Sequence, residues 1–279
     1  MSYRMHKVAI LDMYDGAPNQ GMRAIKEILD EYQGVLQYTV FDVRKGEELP
    51  EMNYDIYIST GGPGNPLEGD GVWDKNYFKL IDRIFTYNRN SKINKKYLLL
   101  ICHSFQMVAN HLGIGKITKR QSMSFGTFPT HKTEEGMIEP LLKNLENPFF
   151  VADFRYYQLI EPNEEKLKAL GAKILALEKV RPHIDLERAI MMIRYSDEIV
   201  GTQFHPEGDA LGMLEHFQVA ERKAAIIKEH GEEKFQRMIQ DLNHPGKIQK
   251  THDEVIPGFL NQAIEGLINQ IEQTPSTKS

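Results

Sequence analysis

Five consecutive apolar residues, Tyr97-Leu98-Leu99-Leu100-Ile101, end at Cys102 and run straight into a stretch of different period. There Phe105, Val108, Ala109 and Leu112 fall at i, i+3, i+4 and i+7, one face of a helix, and Gly113 is a natural C-terminal stop. A strand with no polar alternation has to be covered on both faces, as in parallel sheets clothed by helices. The same alternation of elements recurs upstream. Residues 6–11 read as a buried strand, followed by a loop with Gly16, Pro18 and Gly21 and a helical face of Met22, Ile25, Ile28 and Leu29. Residues 35–43 and 54–59 read as strands, and 76–88 as a helix with Phe78, Ile81, Ile84 and Phe85 on one side. This order predicts an α/β fold with a mainly parallel central sheet flanked by helices.

Residues 114–204 are richer in strands, with runs at 117–120, 149–153, 173–178, 189–193 and 199–204. From Gly208 onward the chain turns helical and charged. An apolar stripe of Ile256, Phe259, Leu260, Ala263, Ile264, Leu267, Ile268 and Ile271 reads as a face docked on the same chain rather than on a partner. The expected organisation is one domain over 1–208 and a helical extension over 209–279 packed on it, with a frayed end at 273–279.

Bulk composition narrows the function classes. Hydrophobic residues make up 41% and charged residues 26%, the balance of a soluble globular protein. A net charge of −5 gives no electrostatic reason for binding nucleic acid or a membrane surface. No apolar run approaches the roughly 20 residues that span a bilayer. A single cysteine excludes an internal disulfide framework and points to a reducing, cytoplasmic setting. With no Cys-x-x-Cys and no His-Glu-x-x-His, neither a metal site nor a cofactor is expected.

Three separated places carry chemistry. Cys102 stands where a strand meets a helix, and in open parallel sheets functional groups gather beyond the C-terminal strand ends. Helix N-terminal amides there favour thiolate over thiol, and the N–H of His103 points toward a developing oxyanion. By itself Cys102 also fits a small buried hydrophobe. His205-Pro206-Glu207 follows the 199–204 run. Proline keeps His205 extended, and residues i and i+2 of an extended chain project to one side, so Glu207 can orient the imidazole. An ordinary strand end running into a turn has the same composition. The glycine loop Gly61-Gly62-Pro63-Gly64 permits close backbone approach to a ligand, as does any tight turn. Trp73, in the loop that follows, fits either a cap over a site or an anchor on the core. His103 reads as a solvent-facing residue of the first helical turn.

Taken together and in order, the Gly61–Gly64 loop, Cys102 with Gln106 four residues on, and Gln203-Phe204-His205-Pro206-Glu207 resemble the class I, triad-type glutamine amidotransferases. Arg155-Tyr156-Tyr157-Gln158-Leu159 resembles the Arg-Tyr-His-Ser-Leu segment of anthranilate synthase glutaminase subunits, and the resemblance covers about residues 6–208. It implies a flavodoxin-like glutaminase fold with Cys102, His205 and Glu207 as nucleophile, base and orienting acid. The N–H groups of Gly62 and His103 would form the oxyanion hole, and Gln106, Tyr157, Gln158 and Leu159 would position the substrate. Glutamine would be hydrolysed through a cysteine thioester, with ammonia passed to a separate synthase or another acceptor; a homodimer is compatible with this.

Two departures from the family pattern stand out. The family has Gly-x-Cys-x-Gly around its nucleophile, where this chain has Leu100 and Ser104, and Tyr157 replaces the family's histidine. They leave open two alternatives: hydrolysis of another γ-glutamyl amide or peptide, and a catalytically silent regulatory paralogue. No Ser-Gly-Gly-x-Asp-Ser loop occurs, so a fused synthetase is not expected.

Overall fold

In the computed structural model, which describes residues 5–17, 19–181 and 186–272, the apolar runs are strands of one nine-stranded sheet. The first half runs β1 (His6–Asp12), α1 (Gln20–Asp30), β2 (Leu36–Asp42), β3 (Ile56–Ser59), α2 (Trp73–Asn90), β4 (Tyr97–Ile101) and α3 (His103–His111). The second continues with β5 (Lys116–Lys132), α4 (Glu134–Ile138), β6 (Phe149–Ile160), α5 (Glu164–Leu170), β7 (Lys173–Glu178), β8 (Ile190–Ser196) and β9 (Ile199–Thr202). Four helices follow: α6 (Ala210–Gln218), α7 (Ala220–His230), α8 (Glu232–Leu242) and α9 (Ile248–Glu272).

Across the sheet the order is β2-β1-β3-β4-β9-β8-β7-β5-β6. The first five of these strands pair in parallel. From β9 to β6 every pairing is antiparallel. The expectation of a mainly parallel sheet is therefore corrected: the sheet is mixed. Parallel neighbours need a crossover of a dozen residues or more, which the helix-bearing links of the first half supply. Between β8 and β9 there are only Asp197 and Glu198, enough for a hairpin alone. The 117–120 run is likewise only the start of the long β5, whose pairing with β6 shifts register between Lys119 and Ser124.

The unbroken apolar character of β4 follows from its place in the middle of this sheet. Leu98 and Leu100 face one core with Tyr77 and Ile81 of α2 and Phe105 and Val108 of α3. Leu99 and Ile101 face the other, with Ile25 and Leu29 of α1 and Val255, Phe259, Leu260 and Ala263 of α9. Burial of each such side chain contributes roughly 1.5–3 kcal/mol. The stripe of α9 thus docks on the sheet beside α1, and Tyr32 donates to the carbonyl of Pro257 within α9 (3.2 Å). A third cluster joins Met213 and Phe217 of α6 and Phe235 and Met238 of α8 to Phe125 and Phe154 of the β5–β6 hairpin. Pro18, the side chain of Ile271 and residues 273–279 lie outside the described residues. No described helix is long and apolar enough to cross a membrane.

Candidate active site

Strand order brings the three chemical segments to one edge. β3, β4 and β9 are consecutive parallel neighbours, with Ser59 opposite Leu100 and Ile101 opposite Thr202. The Cys102 N–H donates to the Thr202 carbonyl (2.7 Å), so one strand pairing closes the long separation between the cysteine and the histidine segment. Beyond Thr202 the chain turns away and the His205 N–H donates to the Ala152 carbonyl of β6 (2.9 Å). The antiparallel half of the sheet therefore curls back to fix the histidine backbone.

The side chains meet as follows. His205 Nδ1 lies 2.7 Å from Glu207 Oε1, and the carboxylate side chain is 1% exposed. Cys102 lines one cavity with His205 and acts on the charge of its ring, and Gln203 Nε2 lies 3.9 Å from the sulfur. Burial opposes charge on His205. Glu207 and then Cys102 outweigh that penalty, holding its pKa well above the ordinary histidine value. The carbonyl of Glu207 is itself bonded to His252 Nδ1 of α9 (3.0 Å).

Cys102 sits on a sharp elbow, with φ +48° and ψ −98°. A positive φ at a residue with a Cβ costs of order 1–3 kcal/mol and persists only when neighbours over-determine it. Ser104 supplies much of that constraint. Its fully buried hydroxyl lies 2.8 Å from the Ser59 carbonyl and 3.0 Å from that of Ile101, and it accepts from the Ile101 N–H (3.0 Å). Where the family has a glycine, this chain has a hydroxyl that ties β3, β4 and the elbow together. Leu100 is accommodated differently. Its register partner is Gly201, where an added Cβ would lie 2.6 Å from the Phe105 ring.

The glycine loop approaches as bare backbone. A Cβ on Gly61 would lie 2.8 Å from His205 Cε1, and one on Gly62 would overlap the Met13 carbonyl. His103 departs from expectation: it is buried, 3% exposed, instead of facing solvent. Arg44, which donates to the carbonyls of Met13 (3.2 Å) and Pro63 (2.7 Å), lies beside it. Burial, then the Arg44 charge, push the His103 pKa down to about 4. Trp73 is an anchor: it is buried in the core, with the Arg44 guanidinium 5.2 Å from its ring centroid.

A cavity of about 440 Å³ opens at Cys102, His205, Glu207 and Gly62. Gln106, Tyr157, Gln158 and Leu159 are not among its lining residues. Gln106 lies one layer behind, donating to the Tyr157 carbonyl and to Gln203 Oε1 (both 2.9 Å). Gln158 accepts from Arg120 (2.6 Å), and Leu159 is fully buried in the core. The walls hold residues that sequence reasoning missed: Phe125, Phe154, Met213, Phe217 and Tyr14. Burial, then Glu207 and Cys102, keep the Tyr14 phenol protonated far above its usual range, so it stands beside the pair as a donor. Its position just past the end of β1, next to β3, was the available signal. The aromatic walls had none, because they depend on the hairpin folding back. Among the described residues no group of three or more His, Cys, Asp and Glu side chains could hold a metal ion.

A thiol on a strand-to-helix elbow, with a His–Glu pair delivered by the adjacent parallel strand, defines a class of α/β proteins built around a cysteine. Residues 9–211 match the family model for glutamine amidotransferase class-I, and the chain belongs to that family. Solved structures agree at the level of fold. A glutamine amidotransferase from Thermotoga maritima superposes with a TM-score of 0.66 at 18% identity, over 95% of this chain and 99% of that one. A glutamine amido transferase from Methylobacillus flagellatus gives 0.55 at 13% identity, over 96% and 94%. The glutaminase domain of Trypanosoma brucei CTP synthase, solved with acivicin, gives 0.50 at 14%, over 73% and 86%. A search of curated protein sequences finds no match.

Proposed function

We propose that the protein hydrolyses the side-chain amide of glutamine at Cys102. The observation that carries this reading is the His205–Glu207 pair at 2.7 Å lining one cavity with Cys102 on its strained elbow, in a family of amidotransferases. Glu207 takes the Nδ1–H of His205, leaving Nε2 to the sulfur. The sulfur attacks the amide carbon, and the imidazolium gives its proton to the departing ammonia. Water, deprotonated by the ring, then attacks the thioester, releases glutamate and restores the thiol. The N–H of His103, first in α3 and without an intrahelical acceptor, and that of Gly62 steady the oxyanion. Gln106 acts on the sulfur through Gln203. Ammonia passes to an acceptor or to a separate synthase, and a free thiol of this kind suits a reducing cytoplasm.

A second reading is favoured by the cavity. Its volume lies in the range of about 300–1,000 Å³ typical of sites for drug-sized ligands, and Phe125, Phe154, Phe217, Met123 and Met213 give it an apolar wall. The same acyl-enzyme chemistry on a γ-glutamyl amide with a bulky apolar amine would use that space. Glutamate release from glutamine and from γ-glutamyl anilides, measured in the wild type and in Cys102→Ala, tests both. Release should stop in the variant. Undiminished release there rejects the Cys102 mechanism, and a preference for free glutamine rejects the second reading.

A further inference from the structure

A second cavity, of about 590 Å³, lies between β5, the end of β7 and the start of α8, and shares Met123 and Phe125 with the cavity at Cys102. Its walls carry Arg120, Lys179, Arg181, Lys234 and Arg237. The acids there are already engaged. Glu178, with a side chain 5% exposed, pairs with Arg155 (3.3 Å) behind it and with Arg120 (3.1 Å) and Arg181 (2.9 Å). Glu233 pairs with Arg237 (2.8 Å), Glu232 accepts from Gln236 (2.6 Å), and Asp241 takes Lys247 and the Thr127 hydroxyl.

Three donors are left over. Arg181 Nε is buried without a hydrogen-bond partner. Lys179 lies over the Phe128 ring at 4.3 Å, and neither Lys179 nor Lys234 has an ion-pair partner among the described residues. Burial lowers the Lys179 pKa, and Arg181, Arg120 and Lys234 add to that against Glu178, so the ammonium sits in a field of like charge. Gly231 caps α8 without a side-chain hydrogen bond, which leaves first-turn N–H groups facing the same space. A guanidinium N–H, two ammoniums and the N-terminus of α8 line this one cavity, where Glu178 is already shared among three arginines and Glu229 acts on Lys234 from α7. This donor set matches a phosphate group.

We propose that this cavity binds a small molecule through its phosphate group, separately from the reaction at Cys102. The test is calorimetric titration of the full chain with inorganic pyrophosphate at low ionic strength, where screening is weak. Saturable binding is expected, and Lys179→Gln or Lys234→Gln should each weaken it about tenfold, the loss of one charge-assisted hydrogen bond. Lys92→Gln, in the exposed loop after α2, should leave it unchanged. Absence of saturable heat, or equal affinity in all three variants, overturns the proposal. Labelling of Cys102 by a glutamine-analogue electrophile in the same preparations reports separately on the glutaminase site, so the two readings can fail independently. Should a lysine variant unfold on melting, Arg181→Lys, which keeps the charge and loses Nε, takes its place with the same expected weakening.

Discussion

Replacing Gly61 by alanine tests the position of the His205 ring with a single methyl group. A Cβ at Gly61 lies 2.8 Å from Cε1 and 3.5 Å from Nδ1 of His205. Carbon atoms pack without repulsion from about 3.5 Å, so ring and methyl must part by roughly 0.7 Å. Neither side yields readily. The ring is held by Glu207 at 2.7 Å, and its backbone N–H is tied to Ala152 at 2.9 Å. The loop cannot retreat, because Gly62 already abuts the Met13 carbonyl. Overpacking of this kind costs roughly 1–3 kcal/mol of stability. A displacement approaching 1 Å in a reacting group costs on the order of 10²-fold in rate. Gly61→Ala is therefore expected to keep its fold, melt a few degrees lower and lose about two orders of magnitude in kcat for glutamine, with a much smaller change in KM. The assay is steady-state glutamate release alongside a melting curve. A folded variant turning over glutamine at the wild-type rate would show that the ring's position is not what limits the reaction, and the role assigned to His205 would go with it.

Two further predictions concern pH. The raised folded pKa of His205 means its charged form contributes stability that is complete below the unfolded value of 6.5 and lost as pH rises through the folded value. Glu207→Gln removes the carboxylate that raises it, so urea unfolding between pH 6 and 9 should lose this alkaline decline; an unchanged slope contradicts the pairing. His103 has the opposite sign. With a folded pKa of about 4 against 6.5 unfolded, its neutral form contributes about 3 kcal/mol above pH 6.5, lost as pH falls toward 4. His103→Gln should flatten the acid limb of the stability profile, and a wild-type profile in that variant refutes the buried neutral assignment.

The parallel half of the sheet was legible because β1, β3, β4 and β9 are buried on both faces and helix-length segments separate successive strands there. The antiparallel half was not. β5 carries Lys116, Lys119, Arg120, Ser122, Ser124 and Thr127 among its apolar positions, so its length is hidden by its polarity. Cys102, His205 and Glu207 were readable for a local reason: each is fixed within a few residues by a strand end, a helix start or a proline. The lining of the cavity was not, since Phe125, Phe154 and Phe217 meet only after β6 has folded back to His205. His103 was misjudged because first-turn residues usually face water, and nothing local announces that Arg44 and the glycine loop will lie beside it.

The same contrast separates chemistry from selectivity. The residues proposed to break the amide lie within 9–211, the span matched by the family model, and β3, β4 and β9 bring them to one sheet edge. Met213, His216 and Phe217, which close the cavity, lie beyond it on α6, and the carbonyl of Glu207 is held by His252 of α9. The helical extension therefore touches both the wall that a substrate meets and the backbone of the orienting acid. A change on α6 should alter which amides are accepted while leaving the charge state of His205 intact. A change at His252 should do the reverse. For this reason Phe217→Ala, which opens the apolar wall without touching the His–Glu pair, discriminates between free glutamine and a larger γ-glutamyl amide: it should lower kcat/KM for the larger substrate more than for glutamine. An equal loss on both would mean that the wall serves packing and not recognition.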